Sequence, residues 1–423
     1  MYALAYLDRQ VLTLLVDPIR ADFGISDFEV SLVQGGAFVL FFVICAIPIG
    51  WAVDRFSRCK IIFAGVFIWS LASAFGGLAS SYWQLLISRF GVGAGEAALA
   101  PAAYSLMGDL VPRHRLGFAM AVFSIGAVIG GAISLALGGY AIHLAIATGD
   151  VVLPVIGVVR PWQLVLLVVG LVGLPLSMLA LLLPEPVRVI EEGQTLPNWV
   201  TVRRQIWQFR RFYGCHILGF SMLNLIGASF VAWAPTVLIR TWQMPVAEVG
   251  ATLAAITVTT GLAGMLFSGY FADRMFRNGR TDAHFRYYVA TVPLLVFAGA
   301  AVGFAPSLWI TLTGMVVCQF VIAFIAVAAA GLQIATPPLL RGRISSIFLF
   351  IYNAVGYAVG PSLVAMVATS AGGDITQGLG LVMMTIAPIV ALVFAFGLSA
   401  MREAVAAQTD FAHETCARVG VGH

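Results

Sequence analysis

Gly50-Trp51-Ala52-Val53-Asp54-Arg55-Phe56-Ser57-Arg58 closes one apolar run, and Gly269-Tyr270-Phe271-Ala272-Asp273-Arg274-Met275-Phe276-Arg277 closes another, 219 residues further on. The glycine, the Asp-Arg pair and the second arginine match in register. Pro112-Arg113-His114-Arg115 has a similar echo in Pro338-Leu339-Leu340-Arg341-Gly342-Arg343. Repetition at about half the length of a 423-residue chain marks a duplicated unit. A glycine at such a position lets helices approach closely, and an Asp beside loop arginines can pair across a helix contact. Gly50, Asp54, Arg55 and Arg58, with Asp273, Arg274 and Arg277, are therefore expected to act as a conformational latch. Ordinary loop charge explains one copy well and two copies in register poorly.

Working outward, the chain is 61% hydrophobic and 10% charged, whereas soluble domains carry about 25% charged residues. Apolar runs of roughly the ~20 residues that span a bilayer lie near 1–20, 30–53, 61–79, 82–107, 116–143, 162–183, 212–239, 246–272, 286–305, 308–334, 344–369 and 378–401. The expected fold is an all-α membrane protein of twelve transmembrane helices in two pseudo-symmetric six-helix bundles. The first bundle occupies 1–184 and the second 212–401. A central loop at 185–211 and a polar tail at 402–423 complete the division.

Basic residues orient the helices. With a cytoplasmic N-terminus, all but five of the 23 Lys and Arg fall on the cytoplasmic side. Arg20, Arg160 and Arg240 fall outside, and Arg9 and Arg89 fall within helices. Both termini and the central loop are then cytoplasmic. The first run is short, with Asp8 close to its start, and reads as a helix that begins upstream of Met1 rather than as a short helix.

The sequence Gly-x-x-x-Asp-Arg-x-x-Arg after the second helix, repeated after the eighth, resembles the loop motif of the major facilitator superfamily. Ser57 and Cys59 depart from its usual glycine and basic residue. A fifth helix with Gly126, Gly130, Gly131, Gly138 and Gly139 is similar to the family's glycine-rich antiporter-type helix, without the usual Gly-Pro end. Tyr6-Leu7-Asp8-Arg9, Gly95-Glu96-Ala97-Ala98 with Pro101, and Pro184-Glu185-Pro186-Val187-Arg188 resemble the spinster family of lipid transporters. The resemblance implies a secondary active transporter working by alternating access, commonly as a monomer, with first and fourth helices lining a central cavity. It also implies lysophospholipids or sphingoid phosphates as substrates and a bacterial inner membrane as the location.

Asp8, Arg9, Arg89 and Glu96 are charges inside helices. Each costs ~2.5–3.5 kcal/mol at the bilayer centre unless it faces a cavity or a partner. Asp8 precedes Arg20 by twelve residues, ~18 Å of helix, and Glu96 follows Tyr82 by fourteen, ~21 Å, so the two carboxylates lie at similar depth. Arg89 and Glu96 are two turns apart on one helix face. These four groups are expected to form a charge relay in which a carboxylate exchanges a proton and an arginine meets an anionic headgroup; a static ion-pair network is the plainer alternative. Arg9, Arg89 and Glu96, with the milder Asn224, Gln319 and Asn353 of the second half, are the expected substrate contacts. A second half without internal charges suits an amphiphile.

Other classes fit less well. The six histidines and five cysteines show no metal or disulfide spacing, and no phosphate-binding loop occurs. The chain therefore reads as no enzyme, with no metal and no cofactor beyond a possible proton gradient, and with a lipid bilayer rather than nucleic acid as its partner. A transporter of small organic anions or drugs, and an uncoupled facilitator, remain as alternatives of the same fold.

Overall fold

The computed structural model describes residues 2–111, 113–154, 157–186 and 199–419. Among these, twelve helical segments follow the twelve apolar runs, and ten of them are long and apolar enough to cross a membrane on their own. The other two are interrupted. The first consists of Tyr2–Leu14 and Val16–Phe23, broken at Leu15, and the fourth of Tyr82–Glu96 and Leu99–Leu110. The break in the fourth helix directly follows Glu96, and that in the first lies between Arg9 and Asp17.

Sequence signals set the helix ends. Ser26 and Glu29 form a reciprocal capping box at the start of the second helix. Ser57 and Ser81 cap the third and fourth by accepting from Lys60 and Gln84 backbone N–H groups. Gly24 ends the first helix with φ 62°, a conformation that suits glycine. Single π turns at Leu32–Gly36, Thr257–Gly261 and Ala354–Val359 interrupt the second, eighth and eleventh helices. Such turns mark functional sites more often than plain helix does. A short antiparallel hairpin, Val151–Leu153 with Gly157–Val159, links the fifth and sixth helices.

Contacts divide the chain into two compact units. One holds residues 1–190, 228–258 and 357–376, and the other 191–227, 259–356 and 377–423. The ends of the seventh, eighth and eleventh helices that lie away from the basic loops thus group with the first half of the sequence. The first unit packs around Trp69, Phe38, Val66, Val92 and Leu99. The second unit holds an aromatic core in which Phe220 stacks on Phe324, with centroids 5.7 Å apart, and meets Phe394 edge-on at 4.8 Å.

Two expectations change. The central loop contains a helix, Trp199–Gln208, and the last helix runs from Ile375 to Val419 instead of ending at Met401.

Candidate functional site

Asp8 and Arg9 are neighbours on the first helix, so their side chains leave it about 100° apart. Each meets a different charge of the fourth helix. Arg89 donates from Nη1 to Asp8 Oδ2 at 2.8 Å, and Ser73 of the third helix donates to Asp8 Oδ1. Arg9 donates from Nε to Glu96 at 2.8 Å, and its Nη2 completes an ion pair with the same carboxylate. Asp8 is 1% exposed, Arg89 2% and Glu96 4%.

The pairing leaves unused capacity. Among the described residues, Arg89 Nε and Nη2 and Glu96 Oε1 are buried without a hydrogen-bond partner. The Arg9 guanidinium lies 4.3 Å above the centre of the Phe38 ring, and 5.6 and 5.8 Å from Tyr6 and Phe42. It is the most open of the four groups, with 27% of its side chain exposed. An aromatic-lined cation beside a carboxylate can bind an anion when that carboxylate is neutralised.

Close backbone approach makes this site. A methyl group at Gly93 would stand 2.1 Å from the Phe38 carbonyl oxygen, and one at Gly95 would stand 2.6 Å from that of Gly65. The fourth helix can therefore approach the second and third only because these positions carry no side chain.

The expected contacts of the second half lie in the other unit. Asn224 is buried and donates to the Tyr352 carbonyl at 2.9 Å; Asn353 donates to Leu349 of its own helix at 2.8 Å. Gln319 lies half-buried beside Gly261. Among the described residues, no hydrogen bond joins these three side chains.

The two copies of the loop motif differ. Arg58 is buried, donates to Glu185 at 2.9 Å and to the Pro186 carbonyl at 3.1 Å, and pairs with Asp109. Glu185 also accepts from Ser57 Oγ at 2.7 Å and Cys59 N at 2.9 Å. Burial pushes the Glu185 carboxyl up, but these donors at a helix N-terminus pull it down to about 2. Arg55 stacks on Trp51 at 4.3 Å. In the second copy, Arg274 donates to Tyr270 at 3.1 Å, and among the described residues neither Asp273 nor Arg277 enters an ion pair. The side chains of Asp54 and His114, and residues Val187 and Arg188, lie outside what the structure describes. A methyl at Gly50 or Gly269 would meet nothing within 4 Å, so close helix approach does not occur at these glycines.

Sequence reasoning missed an ion cluster on the side opposite the basic loops. Arg240 donates to Asp27 through Nη1 and Nη2 at 2.9 and 2.8 Å and to Asp17 at 2.7 Å, and Arg20 lies 3.1 Å from Asp27. Ser31 donates to Ser362 at 3.0 Å, and Trp233 donates to the Pro361 carbonyl at 3.0 Å. Charges at helix ends look ordinary in a sequence, so nothing singled these out. Gln10 and Gln34 were also missed. Gln10 Oε1 and both amide atoms of Gln34 are buried without partners among the described residues; an amide in an apolar run is the signal that points to them.

A family model described as Major Facilitator Superfamily matches residues 1–361. An MFS-type efflux pump of Mycolicibacterium smegmatis is 28% identical over 395 residues, covering 92% of this chain and 87% of that protein. A sphingosine-1-phosphate transporter of Danio rerio is 26% identical over 294 residues, 65% of this chain and 55% of that protein. The fold resembles that of a bacterial homolog of the human lysosomal transporter spinster, solved inward-facing and unoccupied. Its TM-score is 0.79 at 22% identity, with 95% of each chain covered. The likeness to spinster proteins read from the motifs is thus found again in the comparisons.

Proposed function

The chain belongs to the Major Facilitator Superfamily and is a transporter rather than an enzyme, and from that premise we propose that it carries a lysophospholipid or sphingoid phosphate, driven by protons. One observation carries this reading: two ion pairs stand side by side, buried Asp8 with Arg89 and the more open Arg9 with buried Glu96, and hold polar atoms in reserve. A proton on Glu96 releases Arg9, whose planar fork can grip a phosphate in a bidentate way. Tyr6, Phe38 and Phe42 around the guanidinium give the apolar part of the same molecule a surface to lie on. Phosphate departure returns Arg9 to Glu96 and expels the proton. Because a proton on Glu96 frees Arg9 for the phosphate, each favours the other's occupancy.

The Arg240 cluster, Ser31–Ser362 and Trp233–Pro361 contacts support a role as the gate on the side opposite the basic loops. Opening requires these bonds to part, and Arg58 with Glu185 fastens the third helix to the end of the sixth on the basic side. The excess of basic loops supports a cytoplasmic basic side, in a monomer of a bacterial inner membrane. A second reading, transport of a small organic anion, draws on the orphaned amides of Gln10 and Gln34, which offer hydrogen bonds that a lipid tail does not use.

Uptake of labelled lysophospholipid into liposomes, with and without a pH gradient, tests the proposal. Gradient-dependent accumulation is expected. Uptake that ignores the gradient would remove proton coupling, and a protein that moves hexuronates but no lysolipid would favour the second reading.

A further inference from the structure

The helix Trp199–Gln208 has two faces. Val202 is 1% exposed and Ile206 half-buried. The adjoining sector, read at 100° per residue, carries Trp199, Arg203, Trp207, Val200 and Arg204 within about 140°, all of them exposed. Trp199 is 61% exposed and Trp207 70%. Two tryptophans and a valine in open water would cost apolar surface, and two arginines beside them would be stranded in hydrocarbon. The boundary between bilayer and water accommodates both.

The helix leads directly into the seventh helix, which starts at Arg210. Arg210 lies over the Trp207 ring at 5.6 Å. Arg211 lies over Phe396 of the last helix at 4.9 Å, and its Nη2 is 3.5 Å from Ser399. A cavity of about 180 Å³ opens here, lined by Gln208, Phe209, Arg210, Arg211, Phe212, Ala400 and Glu403. Below it, Ile389, Leu392 and Phe396 follow one another at helical spacing and are all exposed. From Glu403 to Ile389 is fourteen residues, ~21 Å of helix, comparable to the depth of one leaflet's acyl chains plus headgroup.

We propose that this corner of the molecule is a binding site for an anionic phospholipid of the leaflet on the basic side. The phosphate sits between Arg210 and Arg211 at the start of the seventh helix, where the helix dipole adds to their charge. One acyl chain lies along Phe396, Leu392 and Ile389. Trp199 and Trp207 anchor the amphipathic helix at the interface, with Arg203 and Arg204 toward neighbouring anionic headgroups. Glu403 also lines this cavity, and the paired positive charge of Arg210 and Arg211 outweighs its single negative charge.

Native mass spectrometry of the purified protein, equilibrated with equimolar phosphatidylglycerol and phosphatidylcholine, tests the site. Wild type is expected to retain phosphatidylglycerol at least fivefold over phosphatidylcholine, and Arg210→Gln/Arg211→Gln is expected to lose most of that preference. Equal retention by wild type, or an unchanged preference in the variant, overturns the proposal. A second measurement needs no charge change. In nanodiscs, the fluorescence lost on Trp207→Phe should be quenched by dibrominated phosphatidylglycerol more strongly than by dibrominated phosphatidylcholine. Emission that neither lipid quenches places the helix in water and refutes the inference; equal quenching refutes the anionic preference.

Discussion

The interior around Asp8 and Glu96 and the interior around His216 solve the same problem in opposite ways. The first pairs four charges, three of them buried. The second buries a histidine whose two ring nitrogens have no partner among the described residues. It surrounds that ring with Phe212, Phe220, Phe285 and Phe348, with Phe220 and Phe348 centred 4.9 and 5.0 Å away. A neutral imidazole tolerates an aromatic cage, whereas an isolated ion in hydrocarbon does not. In the proposed relay the charged interior alternates between paired and released, whereas the aromatic interior supplies a fixed shape.

The largest effect expected is at Glu96. Glu96→Gln should abolish gradient-driven accumulation of lysolipid while leaving protein levels in the membrane close to wild type; wild-type accumulation in that variant sinks the relay. Asp8→Asn is next. It leaves the buried Arg89 guanidinium without its carboxylate, which should cost about 3 kcal/mol of stability and appear as a lower unfolding midpoint in detergent. An unchanged midpoint would mean that Arg89 has another partner.

Acid should act more gently, at the junction of the third and sixth helices. The Glu185 carboxyl stands below its ordinary value of 4.5, at about 2. A depressed carboxylate contributes stability in full above its ordinary value and loses it as pH falls toward the folded one. The unfolding midpoint should therefore decline between about pH 4.5 and pH 2 in wild type, and less steeply in Glu185→Gln. Equal slopes would remove the Glu185 cap from the account. The smallest change is expected from His216→Phe, which replaces an unpartnered ring by one that matches its neighbours. Transport should stay within twofold; a large loss would break the contrast and give the aromatic interior a chemical role.

Much of this organisation was legible in the sequence. Twelve apolar runs and a motif repeated in register imposed the fold, because the bilayer allows few alternatives to spanning helices. Asp8, Arg9, Arg89 and Glu96 stood out because charge in an apolar run demands an explanation. Which arginine pairs with which carboxylate was not legible, since it depends on how the first helix rotates against the fourth. Asp17, Asp27 and Arg240 were hidden by their positions at helix ends, where charge is unremarkable. The helix at Trp199–Gln208 was readable in the spacing of Val202, Ile206 and Phe209, but a polar stretch between two halves reads first as a loop. Gly50 and Gly269 match in the repeat yet pack against nothing, so matching sequence did not imply matching contacts.

The most direct test of the central claim is equilibrium binding of a lysophospholipid with an anionic headgroup at neutral pH, compared across wild type, Glu96→Gln and Arg9→Gln. If Glu96 holds Arg9 in reserve, Glu96→Gln binds at least as tightly as wild type although it transports nothing, and Arg9→Gln binds at least tenfold more weakly. Weaker binding in Glu96→Gln, or undiminished binding in Arg9→Gln, would contradict the account.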